Sequence, residues 1–299
     1  MRKTIVTLVA LCAAVTVNAT VLRVSNVSGS TAPYSTVADA LANAAAGDTI
    51  MLDASATSYG DIEIKTRVVL MGPGYWLQRN GIIQEAGGSA EVRGVTIRAS
   101  GTVLCGITAS MSISVIEASD VVIKRSCLGH IALGDKSNRC VIHQNFMRGD
   151  IGASYSHTSM HQITNNILYG CSFRNVSNCY IAYNTFLANR SLGKANYWAS
   201  HDLSFEKNVW EGYDKDDTET NSYKDNLATS SETDVWDYGG IDTDVQKLNL
   251  STTHGAFAGD SPYVISGLPS APIIEDLQAP TTVEYGSMMN VTIKVGVQK

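Results

Sequence analysis

This sequence predicts an all-β chain folded as a right-handed parallel β-helix, with a short N-terminal capping helix and an extended C-terminal tail. Three observations lead to this fold. Apolar and asparagine residues recur together about every 20 residues, residues within each repeat alternate as they do in strands, and a helical segment precedes the repeats. A solenoid explains all three, because each repeat then forms one coil that buries its apolar face against its neighbours.

The chain opens with the features of a secretory signal peptide. Arg2 and Lys3 precede an uncharged apolar run, and small residues at 17–19 suit cleavage after Ala19. The apolar run is shorter than the roughly 20 residues that span a bilayer, and no later stretch approaches that length. We therefore predict a signal peptide over residues 1–19 and an exported protein, secreted or at the cell surface, without a transmembrane segment after cleavage.

A capping helix is predicted before the first coils. Three apolar residues share one helical face: Val37, Leu41 and Ala45. Thr36 and Asp39 have the spacing of a capping box at its start, and Gly47 follows its end. This helix is expected to cover the first coil, because an exposed sheet edge recruits other chains.

Five segments carry the repeat. An apolar residue recurs at Ile123, Ile142, Ile163, Ile181 and Phe205. A polar residue follows three places later at Ser126, Asn145, Asn166, Asn184 and Asn208. Another apolar residue comes two places after that, at Leu128, Met147, Leu168, Phe186 and Trp210. Successive repeats are 19, 21, 18 and 24 residues apart, which suits one coil of parallel strands.

The repeat predicts where side chains point. The apolar residues face inward, and the asparagines lie at the turns, where an amide tolerates left-handed backbone and bonds to nearby main chain. Stacked in successive coils, the side chains of Asn145, Asn166, Asn184 and Asn208 are predicted to form a ladder. Less regular coils are expected at 68–77 and 90–109, whereas 212–253 shows no clear repeat.

The predicted β-helix spans residues 20–250 and the tail 251–299. Four of the six prolines lie in the tail, which predicts an extended, irregular segment before a final strand at 291–297. The tail is expected either to pack along the outside of the coils or to cap the last one.

A short helix ending in AAAGDTI, a strand pair and asparagine-ladder repeats resemble the pectate-lyase-like right-handed β-helix superfamily. This resemblance covers roughly residues 21–212 and implies a fold more than an activity. The tail segments GAFAGDSPYVISGLPSAPIIEDL and VEYGSMMNVTIKVGVQK are similar to the ends of secreted β-helix proteins of Bacteroidetes, whose roles are mostly unassigned. That second likeness implies no particular chemistry.

Charge and cysteine content narrow the function classes. The chain has 22 basic and 28 acidic residues, and removal of Arg2 and Lys3 with the signal peptide changes its net charge from −6 to −8. This balance argues against nucleic-acid binding. Five cysteines remain after cleavage, so at least one thiol is free. Equivalent inward positions hold Cys140, His161 and Cys179, but coils about 4.8 Å apart separate the outer thiols too far for one zinc ion.

Enzymatic activity is left open. A lyase acting on a uronate polymer needs a base and cationic stabilisation, and the outward side chains able to transfer protons are Lys124, His143 and Glu206. The R-x-P-x-x-R arrangement of pectate lyases is missing from the coils, because no proline lies between Pro73 and Pro262. The motif blocks of polygalacturonase-like hydrolases are also missing as a set.

Two further surfaces are predicted. Asp214, Asp216 and Asp217, with Glu219, offer hard oxygen ligands for Ca²⁺, or form a solvated acidic loop. An aromatic and basic group suits an acidic glycan, or else covers the side of the coils: Tyr180, Arg190, Lys194, Tyr197 and Trp198. We predict a non-catalytic protein that binds a glycan or a surface protein along the solenoid. The alternatives are a divergent polysaccharide lyase and a structural unit whose tail strand pairs with another chain.

Overall fold

A computed structural model describes residues 19–78, 80, 88–153, 157–187, 197–211, 220–229, 251–269, 272–278 and 291–297. The predicted signal peptide lies outside these residues except for Ala19. One α-helix occurs in the described part of the chain, α1 (Val37–Asn43).

The strands follow in chain order. They are β1 (Val21–Val24), β2 (Thr49–Leu52), β3 (Asp61–Ile64), β4 (Val69–Met71), β5 (Glu91–Val92), β6 (Gly94–Ile97), β7 (Val103–Cys105), β8 (Thr108–Val115), β9 (Val122–Lys124), β10 (Cys127–Leu133), β11 (Val141–His143), β12 (Phe146–Met147), β13 (Ile151–Gly152), β14 (Thr158–Ser159), β15 (Gln162–Thr164), β16 (Ile167–Tyr169), β17 (Phe173–Arg174), β18 (Val176–Ser177), β19 (Tyr180–Ala182), β20 (Thr185–Leu187), β21 (Tyr197–Trp198), β22 (Ser204–Glu206), β23 (Val209–Glu211), β24 (Ser222–Lys224), β25 (Leu227–Thr229), β26 (Pro272–Gln278) and β27 (Thr292–Val297).

These strands form a right-handed parallel β-helix of about 8 turns, which confirms the predicted fold class. The first sheet has ten strands in the order β1-β2-β4-β7-β9-β11-β15-β19-β22-β24. The second sheet has 13 strands, with β10, β12, β16, β20, β23 and β25 among them, and β14 pairs with β18 on a third, shorter face. Every pairing within the solenoid is parallel, as stacked coils require.

Register in the first sheet places one apolar residue of each of its ten strands in a single inward column. Its members are Leu22, Ile50, Leu70, Leu104, Ile123, Ile142, Ile163, Ile181, Phe205 and Tyr223. The second sheet aligns Leu128, Met147, Leu168, Phe186 and Trp210 in the same way. Nearly all of these side chains are buried, and each buried aliphatic group stabilises the fold by about 1.5–3 kcal/mol. The repeat therefore specifies both register and core.

The asparagine column is a continuous hydrogen-bonded ladder. Each Oδ1 accepts from both the backbone N–H and the Nδ2 of the preceding coil's asparagine, as Asn166 Oδ1 does from Asn145 at 2.9 and 3.1 Å. The pattern repeats from Asn166 to Asn184 and from Asn184 to Asn208. Each Nδ2 also donates to a carbonyl one coil back, which is Ile142 O in the case of Asn166. The amides are fully used, so they are tolerated in a dry interior.

The left-handed backbone at this corner does not belong to the ladder residues, contrary to the prediction. It belongs to the residue before each of them: Arg125, Gln144, Asn165, Tyr183 and Lys207 all have φ between 51° and 57°. The ladder side chain must point inward between two coils, so the chain turns one residue earlier and the preceding side chain projects outward. The asparagine is thus selected for its hydrogen bonds rather than for its backbone.

The cap helix α1 is shorter than predicted. The Thr36 side chain accepts from Asp39 N, as the capping motif requires, but the helix ends at Asn43, and Ala45 lies beyond its C-cap, Ala44. Val37 and Ala40 are buried in the main core next to the first strands, so α1 covers the N-terminal coil. No helix among the described residues has the length and apolar character needed to cross a membrane.

Three strands, β24, β25 and β26, lie where no regular strand was expected. The segment 222–229 adds another coil: Tyr223 pairs with Phe205, and Asn226 extends the ladder from Asn208. In the tail, β26 pairs in antiparallel fashion with β27, the predicted final strand. Pro272 opens β26, where its missing N–H removes no interior ladder bond.

The tail residues 251–269, called the strap below, run along the outside of the coils. The strap follows the corner formed by the left-handed residues and runs from later coils back to earlier ones. Gly255 N donates to Lys207 O, Asn165 Nδ2 donates to Ala258 O, and Arg125 Nη1 donates to Leu268 O. The sequence left open whether the tail packs outside or caps the end, and this part packs outside.

The strap and the second sheet enclose a second apolar cluster. Its buried members are Tyr75, Phe146, Ile167, Leu187, Ala256 and Tyr263. Phe146 and Ile167 point outward from the second sheet, and the strap keeps them from water. The Tyr75 and Tyr263 hydroxyls bond to each other although 188 residues separate them in sequence. The strap therefore belongs to the folded core of the molecule.

Candidate functional site

The outer face of the first sheet from β9 to β24, called the outer face below, carries two columns of outward side chains. One column consists of Val122, Val141, Gln162, Tyr180, Ser204 and Ser222. The other consists of Lys124, His143, Thr164, Ala182, Glu206 and Lys224. Parallel strands about 4.8 Å apart make this surface flat and regular.

An aromatic group stands at the C-terminal end of the outer face. The Tyr180 side chain is 38% exposed, and its hydroxyl donates to Glu206 Oε2 at 3.3 Å. Lys224 Nζ bonds the other carboxylate oxygen at 2.7 Å. The hydrogen bond from Lys224 lowers the pKa of Glu206, and burial together with the Glu206 charge raises the pKa of Tyr180. At neutral pH the phenol is thus a donor to an ionised carboxylate, which holds the ring in place.

Lys124 and His143 lie in neighbouring coils, in register, at the other end of the outer face. His143 Nδ1 lies 3.1 Å from Thr164 O and 2.8 Å from Thr164 Oγ1, while Nε2 lies 2.9 Å from Ser261 Oγ on the strap. Burial lowers the pKa of His143, so the ring is neutral at pH 7. A carbonyl oxygen only accepts, so Nδ1 carries the proton and Nε2 accepts from the Ser261 hydroxyl.

The three predicted proton-transfer residues are therefore only partly brought together. Lys124 and His143 are adjacent, whereas Glu206 follows His143 by three coils, roughly 14 Å along the axis. Glu206 is instead engaged by Tyr180 and Lys224. Any reaction at His143 proceeds without that carboxylate.

Several predicted site residues lie outside the described residues. They are Arg190 and Lys194 of the glycan group and Asp214, Asp216, Asp217 and Glu219 of the acidic group. Tyr197 and Trp198 form β21, whose backbone is in register with Phe173 and Arg174 of β17. These two residues thus belong to a strand of the coils.

The buried column of Cys140, His161 and Cys179 has the hydrogen-bonded arrangement expected from geometry. His161 Nδ1 accepts from Cys140 N at 3.2 Å, and Nε2 lies 2.7 Å from Thr158 Oγ1. Burial lowers the pKa of His161 to about 4 and raises the pKa of both thiols to about 11. Within the described chain, no three His, Cys, Asp or Glu side chains are grouped to hold a metal ion. The five cysteines there are free thiols.

Ser261 was missed by the sequence reasoning. It belongs to no repeat, and its partner lies 118 residues away. The signal that marks the strap is its small residues: a Cβ at Gly267 would lie 2.1 Å from Arg125 O, and one at Gly255 would lie 2.7 Å from Thr185 Oγ1. Glycine spacing in the tail therefore records close approach to the coils, although it does not identify the partner.

Comparison of the chain with protein-family models, with curated proteins and with solved structures found no match.

Proposed function

We propose that this protein is an exported β-helix that binds a glycan along the outer face. The observation that carries the proposal is the half-exposed Tyr180 ring, fixed by Glu206 on a flat sheet surface. Sugar rings present apolar C–H faces that stack on aromatic rings. Gln162 and Ser204 flank Tyr180 in the same column and supply hydrogen-bonding groups for hydroxyls.

The architecture of the chain and its predicted export signal support the same proposal. Its architecture resembles the pectate-lyase-like superfamily, for which polysaccharides are common ligands, and an export signal would bring the protein into contact with extracellular glycans. Arg190, Lys194, Tyr197 and Trp198 remain predicted contributors to a site for an acidic glycan, and the group of Asp214, Asp216 and Asp217 a predicted Ca²⁺ site. A surface protein is the other proposed partner class.

Glycan-array screening followed by calorimetry on the best ligand tests the proposal. Tyr180→Ala removes the stacking ring and is expected to weaken binding about tenfold, equivalent to about 1.4 kcal/mol. Tyr180→Phe keeps the ring and should retain most of the affinity. Met111→Ala, which truncates a still more exposed apolar side chain on the second sheet, is the control. Equal affinity of the Tyr180→Ala variant and wild-type protein would refute the site.

A uronate lyase is the second candidate, and the adjacency of Lys124 and His143 is the observation in its favour. The orientation of His143 weighs against it, because Nε2 is directed at a serine hydroxyl rather than left open to a C–H bond. Incubation with pectate, alginate and glycosaminoglycans in the presence of Ca²⁺ distinguishes the two functions. Unsaturated products that absorb in the ultraviolet would establish the lyase, and their absence from every polymer would eliminate it.

A further inference from the structure

We propose that Ser261, His143 and Thr164 form an acyl-transfer site that hydrolyses carboxylic esters. Nucleophilic catalysis by serine requires a hydroxyl within hydrogen-bonding reach of a base whose other side is held by a third group. Ser261 Oγ is 2.9 Å from His143 Nε2, and Thr164 O fixes the opposite nitrogen at 3.1 Å. The arrangement has all three parts.

The imidazole is prepared to act as a base. Thr164 O selects the tautomer in which Nε2 is unprotonated, and the neutral ring follows from burial and from the nearby positive charges of Arg125 and Lys124. The charged side chains that act on this ring are thus both cationic. A neutral imidazole can remove the proton from Ser261, whereas an imidazolium cannot.

The nucleophile is held in place and reachable. Gln144 Nε2 donates to Pro262 O at 2.5 Å and to Ser261 O at 3.3 Å, so the strap is pinned at this point to the coil that carries His143. Tyr263, two residues after Ser261, is buried in the second apolar cluster and anchors the strap there. Ser261 itself is exposed, so an ester can approach its hydroxyl from solvent.

Lys124 supplies positive charge for the developing oxyanion. It lies one coil from His143 on the same outward column. Among the described residues, none forms a hydrogen bond or ion pair with its ammonium group. An uncommitted cation next to a nucleophile–base pair stabilises charge that appears only in the transition state.

The reaction balances without a cofactor. Ser261 Oγ forms a bond to the acyl carbon while its proton passes to His143 Nε2. The tetrahedral intermediate then breaks the bond to the alkoxide, which leaves with that proton as an alcohol. Water, deprotonated by His143, attacks the acyl carbon of the acyl-serine. The bond between that carbon and Ser261 Oγ then breaks, Oγ takes the proton back from His143, and the carboxylic acid is released.

A second hydroxyl–imidazole contact on the strap serves as the matched control. His254 Nδ1 lies 2.7 Å from Thr253 Oγ1, and Nε2 lies 3.2 Å from Asp225 Oδ1. Thr253 and His254 are consecutive residues of one turn, and Ser251 Oγ accepts the backbone N–H of both. Hydrogen bonding within a turn accounts for this contact, so we expect no activity from it.

The experiment uses the full exported chain with p-nitrophenyl acetate as substrate and a fluorophosphonate as covalent probe. Hydrolysis above the buffer rate and probe attachment to the peptide that contains Ser261 are expected. Ser261→Ala and His143→Ala should each lower hydrolysis at least 100-fold, whereas Lys124→Met should lower it about tenfold. His254→Ala should leave it unchanged.

Mapping of the probe on wild-type protein requires no variant to fold. Labelling at Thr253 or Ser251, equal hydrolysis by Ser261→Ala and wild type, or no labelling at all would overturn the proposal and leave Ser261 as an anchor of the strap. The inference does not rest on glycan binding, since Tyr180 lies two coils away and a small ester needs no contact with it. Either function can therefore fail while the other holds.

Discussion

Removal of one ladder amide, Asn166→Ala, should destabilise the solenoid by about 4 kcal/mol. The side chain makes four buried hydrogen bonds: Oδ1 accepts from Asn145 N and Nδ2, and Nδ2 donates to Ile142 O and Asn184 Oδ1. A hydrogen bond contributes about 1 kcal/mol net. Alanine provides no substitute, and Asn145 N loses its acceptor in a dry interior.

Two variants calibrate that value. Ser126→Ala, at the start of the ladder, removes two hydrogen bonds, to Lys124 O and from Ile107 N, and should cost about half as much. Asn43→Ala removes a single solvent-exposed bond to Asp39 O and should change stability by less than about 0.5 kcal/mol.

The assay is guanidinium unfolding followed by far-ultraviolet circular dichroism, with refolding checked from the denatured state. Solenoid coils can unfold in separate steps, so the denaturant slope is compared as well as the midpoint. An Asn166→Ala protein no less stable than Asn43→Ala would show that the ladder amides contribute no net stability, and the reasoning would be wrong.

Three further outcomes are expected. The pKa of His161 is about 4 in the folded protein and about 6.5 in the unfolded protein, so between these pH values the unfolded state binds an extra proton. The free energy of unfolding should therefore fall by about 3 kcal/mol as the pH drops from 6.5 to 4. His161→Gln should flatten this pH dependence. Gly149→Ala would place a Cβ 2.2 Å from Gly129 O, whereas the Cβ of Gly94→Ala would lie 3.2 Å from its nearest atom, Ser112 O. Gly149→Ala should therefore lower the melting temperature far more than Gly94→Ala. Equal losses in melting temperature would contradict this. Asn165→Gly keeps the left-handed backbone but removes the side-chain hydrogen bonds to the strap. Amide deuterium exchange should therefore become faster in residues 255–263 and stay unchanged in the coils. An equal change in both regions would show that the strap does not open independently of the coils.

The solenoid was predictable because its determinants are local and periodic. An isoleucine followed three residues later by an asparagine fixes both the inward column and the ladder, as Ile142 and Asn145 show. The coil that contains Tyr223 and Asn226 obeys the same rule, 18 residues after Phe205 and Asn208, but a tyrosine takes its inward position within a polar, acidic segment, and the repeat was not recognised there.

The candidate site was predictable only in part. Alternation placed Lys124, His143 and Tyr180 on the outer face, because strand period alone decides that. Ser261 reaches His143 through a contact between segments that share no pattern, and periodicity carries no information about such a pairing. The position of the left-handed residue was misjudged for a related reason: asparagine favours both the turn and the ladder, and only the hydrogen bonds separate the two roles.

The fold is complete only when the strap, residues 251–269, has packed against the coils. Each coil forms from residues that are close in sequence, but the outward side chains of Phe146 and Ile167 stay exposed to water until residues 256–263 pack over them. Closure joins Tyr75 to Tyr263 across most of the chain, which is a slow kind of contact to form. A nascent or truncated chain therefore exposes this apolar surface and is prone to aggregate until the strap covers it.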